Sequence, residues 1–207
     1  MIEPPARSGV AFSEESDRDL RHDPEARAQA ATRLGIDGHW ATVTQVHGDA
    51  VRHVDTPGNA GEADALWTSV SGLPLAIFTA DCFGVVMHAT DAVGVAHAGW
   101  RGAEAGVVGR LREEMSGAGH PPVRAAIGPG IGPCCFEVGE EVAARFQTSR
   151  ADTSWGTVSV DLPSVVRAQL SGLDVWSLAA CTFHEPGWFS HRRDATPRRL
   201  ASIGWLQ

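Results

Sequence analysis

The chain of 207 residues contains no lysine and no tyrosine, so all 17 of its basic side chains are arginine. The absence of lysine excludes Schiff-base chemistry, an amine general base and a Walker-type phosphate loop, because each needs an ammonium or amine side chain. The absence of tyrosine removes any phenolic acid or base. Cysteine is sparse: Cys82, Cys134, Cys135 and Cys181, with no Cys-x-x-Cys pair. Bridging the adjacent Cys134 and Cys135 would be strained. The thiols therefore read as small buried hydrophobes in a reduced, cytoplasmic protein. Residues 1–12 hold no apolar segment of the secretory type, and no run of 18 apolar residues occurs anywhere, so no membrane partner is expected. Positive charge is also in short supply. The net charge is −8, which disfavours nucleic acid as a partner. The one dense basic cluster, Arg192, Arg193, Arg198 and Arg199, reads as a local ion-pairing patch with Asp194 and Glu185.

What is present is a foldable composition. Hydrophobic residues make up 43% and charged residues 20%, outside the range of disordered chains. The length suits one domain over residues 1–207. After an irregular lead-in of a dozen residues, Asp23-Pro24 reads as the start of a helix running to Leu34, with Gly35 as its stop. Residues 41–54 alternate and are β-branched, predicting two strands and a possible hairpin across Gly48-Asp49. A short strand over 63–68 follows. The most apolar stretches, Leu75–Phe78, Val85–His88 and Val93–Ala96, read as buried strands, the last two joined by a turn at 90–92. Ala103, Val107, Leu111 and Met115 share one helical stripe. Further elements are a strand at 123–127, a helix at 137–146, a helix at 162–170 capped by Asp161, and a strand at 175–178. Intermixed strands and helices predict an α/β or α+β fold.

Three segments place metal-ligand residues at strand ends, two of them with turn glycines: Gln45-Val46-His47-Gly48, Thr79-Ala80-Asp81-Cys82 and His97-Ala98-Gly99-Trp100-Arg101-Gly102. Imidazole and thiolate both bind zinc, and three protein ligands leave a fourth position open for water. His47, Cys82 and His97 are therefore candidate ligands, with His53 and His88 as competitors. Asp81 adjoins Cys82, where it could orient a ligand or carry a proton. Arg101 and Gly102 precede a helix, where free N–H groups and a guanidinium favour phosphate. An ion pair of Arg101 with Glu104, Glu113 or Glu114 is the competing reading. Trp100 suits either stacking on a planar ligand or packing. Gly128–Pro133 is Gly-rich but lacks the dinucleotide spacing, and no Gly-x-Ser-x-Gly elbow occurs.

Four segments together resemble the bacterial polyphenol oxidase or laccase-domain family, which includes the peptidoglycan editing factor group. They are Thr44–Gly48, Ala80–Cys82, His97–Gly102 and Ile127–Glu141, and Phe189–Asp194 also matches. The resemblance runs from about Thr42 to the C-terminus. It implies a single-domain layered α/β/β/α sandwich with zinc on His47, Cys82 and His97. The activity it implies is on purine nucleosides, namely phosphorolysis of adenosine, inosine, guanosine and methylthioadenosine, and hydrolytic deamination of adenosine. Asp81 and Arg101 are then the expected catalytic residues, and Arg101 and Gly102 hold substrate or phosphate. A metal-dependent amidase acting on peptidoglycan precursors and a copper-loaded polyphenol oxidase are the alternative readings. A laccase relay needs several histidine-rich copper centres; this chain has nine histidines and no His-x-His pair. Residues 9–23 and Pro197-Arg198 depart from the family's usual patterns.

Overall fold

The central strands change core at every residue. Leu75 and Ile77 face one hydrophobic cluster while Ala76 and Phe78 face another, and Val85 and Met87 likewise oppose Val86. A strand with apolar residues on both faces must lie inside a layered structure. The computed structural model describes residues 1–5 and 8–207. In chain order the strands are β1 (Val10–Phe12), β2 (Ala41–Thr44), β3 (Val51–His53), β4 (Gly58–Glu62), β5 (Ala65–Thr68), β6 (Leu75–Thr79) and β7 (Phe83–His88). They continue with β8 (Val93–Ala98), β9 (Arg124–Ile127), β10 (Arg150–Asp152), β11 (Val158–Val160), β12 (Asp174–Ser177) and β13 (Leu200–Gly204). The helices are α1 (Pro24–Leu34), α2 (Trp100–Ala105), α3 (Val107–Gly117), α4 (Glu140–Ala143), α5 (Leu162–Gln169) and α6 (His191–Asp194).

Two mixed sheets stack face to face, one in the order β1-β13-β6-β2-β4 and the other β12-β9-β7-β8-β5-β3. Between them Phe12, Leu66, Leu75, Ile77, Val86, Val93 and Val95 form the inner core. Truncating one of the larger of these to alanine would cost about 2–5 kcal/mol. Helix α1 covers the outer face of the first sheet through Ala26 and Ala30, against Trp40, Phe78 and Ile203. Val107, Leu111 and Met115 of α3, with Leu162 and Val166 of α5, cover the second. The result is the α/β/β/α sandwich.

Local signals place most boundaries. The Asp23 side chain accepts a hydrogen bond from Ala26 N at the start of α1, and Gly35 closes that helix in the left-handed region. Asp161 caps α5 through Ser164 N. The turn at 90–92 does join antiparallel β7 and β8.

Other expectations are corrected. Residues 41–54 make no hairpin, because β2 belongs to the first sheet and β3 to the second, and the chain crosses between sheets at Gly48. The single helix expected from Ala103 is two, broken where Gly106 adopts φ 85°. The helix expected over 137–146 begins at Glu140 and passes at Ala144 into a 3-10 turn containing a non-helical Phe146. Within the lead-in, β1 pairs antiparallel with β13. Strands β4 and β10 carry too few apolar residues to have been expected, and β11 and β13 are short runs interrupted by Ser159 and Ser202.

Candidate metal centre

The three segments meet at one end of the sandwich. His47 follows β2, Cys82 lies in the β6–β7 turn, and His97 is the penultimate residue of β8. Their nitrogen and sulfur donors all lie within 4.8 Å of one another. The His47 and His97 rings meet edge to face at 4.8 Å between centroids. Two backbone distortions aim these side chains: His47 and Asp81 both hold positive φ, at 63° and 87°. Close approach also depends on glycine. A Cβ on Gly99 would fall 2.9 Å from Cys82 Sγ and 3.0 Å from His47 Cδ2, and one on Gly102 would fall 2.9 Å from the Gly48 carbonyl oxygen. Gly102 is thus buried against the His47 turn and does not border the cavity above the donors.

The organising group is Asp64, which the sequence reading did not single out. It is fully buried just before β5. Its Oδ1 accepts the His97 Nδ1 proton at 2.7 Å and the His47 N–H at 2.9 Å. Its Oδ2 accepts the N–H groups of Gly48 at 2.7 Å and Val46 at 3.2 Å. One carboxylate therefore holds Nδ1 of one histidine, turning the other ring nitrogen toward Cys82, and clamps the backbone of the other. That is the arrangement in which a carboxylate supports a metal-ligating histidine. Burial pushes the Asp64 carboxyl up, but the His97 hydrogen bond and the backbone N–H groups outweigh it and hold it below its ordinary value. A lone Asp before an apolar strand gives little sequence signal, since it equally suits a turn.

The donor set is tuned for a cation. Burial opposes ionisation of Cys82, yet the His97 charge and hydrogen bonds from both histidines bring its thiol down to about 6. Burial likewise opposes a charged His97, and the Cys82 thiolate with the Asp64 carboxylate overcomes it, raising the imidazole to about 9. A thiolate beside two imidazoles, one with a fixed tautomer, fits zinc chemically, and a cation would take the place of the proton that the pair now shares.

Above the donors lies a cavity of about 390 Å³. Four arginines border it, Arg21, Arg101, Arg192 and Arg199, together with His191 and the aromatic rings of Phe78, Trp100 and Phe136. The basic cluster expected to be one ion-pairing patch is split. Arg193 pairs with Asp194 at 2.9 Å, and Arg198 reaches Glu15 at 3.5 Å, whereas Arg192 and Arg199 turn to the cavity. Among the described residues neither has a carboxylate partner. Arg101 does not pair with Glu104, which binds Arg145 at 2.8 Å; its guanidinium lies 4.2 Å from the Trp100 ring centroid. Trp100 both packs on the core and borders the cavity. Asp81 borders it too, with Oδ1 accepting from Thr182 Oγ1 at 2.8 Å and Oδ2 from Arg192 N at 2.6 Å. The competing histidines lie elsewhere. His88 is buried beside Trp205 O, and His53 stacks near Trp67 at 4.2 Å. Neither the position of Arg21 before α1 nor that of His191 in the basic cluster points to this cavity by spacing alone.

A double sandwich presenting a buttressed His/Cys/His centre beneath an arginine-lined cavity defines the class. The chain belongs to the family described as multi-copper polyphenol oxidoreductase laccase, whose model matches residues 11–207. It is 41% identical to a protein of Streptomyces griseus named purine nucleoside phosphorylase ORF3, over 89% of this chain and 83% of that one. A purine nucleoside phosphorylase of Deinococcus radiodurans is 39% identical, over 95% and 82%. Among solved structures, YlmD from Geobacillus stearothermophilus superposes with a TM-score of 0.86 at 27% identity, covering 99% of this chain and 94% of that one.

Proposed function

We propose that the protein is a zinc-dependent purine nucleoside phosphorylase that also deaminates adenosine hydrolytically. The observation that carries this reading is the joining of two features in one cavity: a three-donor cation centre on its floor and, on its walls, Arg101, Arg192 and Arg199, whose guanidinium groups meet backbone carbonyls or aromatic rings and, among the described residues, no carboxylate. Similarity to proteins named purine nucleoside phosphorylase supports it. In phosphorolysis of adenosine, inosine, guanosine or methylthioadenosine, a phosphate oxygen forms a bond to the ribose C1′ while the C1′–N9 bond breaks. The bonding electrons leave with the base, which takes up a proton. Arg101, Arg192 and Arg199 would hold the phosphate dianion through paired N–H donors. Trp100 and Phe136 offer faces for the planar base. His47, Cys82 and His97 would hold zinc, which when bound supplies Lewis acidity and lowers the pKa of water to about 7. Asp81, anchored by Thr182 and the Arg192 backbone, is placed to accept or return a proton at the cavity edge.

The test is a substrate screen on the purified protein, with and without phosphate and after chelation. Hypoxanthine release from inosine that requires phosphate and is lost on zinc removal supports the proposal, as does inosine formation from adenosine. Turnover only of a UDP-linked muramoyl amino acid would assign the amidase reading instead. Oxidation of a phenol only after copper loading would assign the oxidase reading.

A further inference from the structure

A second cluster of soft donors lies behind the wall of the cavity. Cys134 and Cys135 end the Gly/Pro loop at residues 128–133, and Cys181 lies on the segment after β12. An isolated bridge from Gly130 to Cys181 and the hydrogen bond from Thr182 N to Gly130 O, 3.0 Å, tie the two segments together. Cys134 Sγ lies 3.2 Å from Cys135 Sγ and 3.7 Å from Cys181 Sγ, and all three sulfurs are within 4.8 Å of one another. We propose that Cys134, Cys135 and Cys181 form a second metal site, a three-thiolate pocket for a thiophilic d10 cation such as Cu(I) or Zn(II).

Three observations carry the inference. The first is spacing. Sulfurs bound at about 2.3 Å to one cation sit roughly 3.7–4.0 Å apart, so the present separations need only small rotamer adjustments. The second is polarisation. Gly132 N–H donates to Cys181 Sγ at 3.2 Å, an interaction that favours the thiolate. Burial pushes the Cys181 thiol up, but N–H groups of Gly132, His184 and Phe183 outweigh it and lower it. Burial and the adjacent sulfurs push Cys135 up to about 12. Three such thiols cannot all ionise side by side without a cation to offset their mutual repulsion, so binding would release their protons to solvent. The third is access. Cys134 and Cys181 border a separate cavity of about 560 Å³, along with His184, Glu185 and Arg167, so a cation can enter without crossing the first centre. Thiolate ligation selects soft cations over Mg²⁺ or Ca²⁺. The site also touches the first centre mechanically: Thr182, next to Cys181, donates to Asp81, and Asp81 O accepts the N–H of Ile131.

The experiment is anaerobic titration of reduced, metal-stripped protein with Cd²⁺ as a spectroscopic probe, following sulfur-to-metal charge transfer and bound metal per chain. The wild type should bind two equivalents. C134S/C181S should bind one and lose most of the charge-transfer band, because only Cys82 then contributes a sulfur. H47A/H97A should keep the three-sulfur band even if the first centre is lost, which separates the two sites. One equivalent in the wild type, or an unchanged band in C134S/C181S, would overturn the proposal.

Discussion

Replacing Asp64 with asparagine isolates what the buried carboxylate does. Asp64 is no ligand, yet it accepts four hydrogen bonds, one from the His97 ring and three from the backbone of residues 46–48. Asparagine keeps the size but puts an NH₂ where one oxygen stood, so donors face donors on one side and the charge is lost. Hydrogen bonds to a charged group contribute about 1.5–3 kcal/mol each, and an orphaned buried donor costs about 1–3 kcal/mol. Loss of the Oδ2 pair alone therefore predicts destabilisation of about 3–6 kcal/mol. With its tautomer no longer fixed, His97 becomes a poorer donor, and zinc affinity should fall roughly 10- to 100-fold. Chelator-competition titration measures the affinity, and urea unfolding of apo and zinc-loaded protein measures the stability. A folded D64N protein whose zinc affinity stays within twofold of wild type would refute the supporting role.

Three other perturbations follow from the geometry. Arg199→Ala should raise the KM for phosphate about tenfold while changing the binding of free hypoxanthine little, as steady-state kinetics and base inhibition would show; equal loss on both would remove Arg199 from phosphate binding. Gly102→Ala drives a Cβ into the Gly48 carbonyl, so it should cost about 1–3 kcal/mol and weaken zinc binding through the His47 turn, read by thermal unfolding with and without metal. Burial, against the Trp205 carbonyl and helped by the Arg124 charge, lowers the His88 imidazole from 6.5 to about 4. The unfolded chain therefore binds a proton that the folded one refuses between those values. Stability should fall as pH drops through 6.5 and level off below about 4, losing about 3 kcal/mol in all. His88→Gln should flatten that limb in urea titrations at pH 7.5 and 4.5.

The sequence revealed the parts of the site whose residue chemistry is distinctive and hid those defined only by long-range packing. His47, Cys82 and His97 each lie at or just past the end of a strand, and two of the three segments carry a turn glycine, so type and position together point to them. Asp64 was invisible because a carboxylate before a strand is ordinary; its partners are 16 to 33 residues away in the chain. The basic cluster near the C-terminus was legible as charge but not as direction, since α6 and the turn after it send Arg192 and Arg199 one way and Arg193 and Arg198 another. The continuous apolar runs at 75–78, 85–88 and 93–96 announced buried strands. Strand β4, Gly58–Glu62, is held by pairing with β2 and not by apolar side chains, which no periodicity exposes. The three sulfurs of Cys134, Cys135 and Cys181 converge only because β9 and β12 lie side by side in parallel.

The most direct measurement is the zinc content and phosphate-dependent hypoxanthine release of the His97→Ala protein against wild type, with folding checked by circular dichroism. The expected outcome is a folded protein that has lost the zinc of this centre and at least a hundredfold in turnover. Full metal at this centre together with full turnover would contradict it.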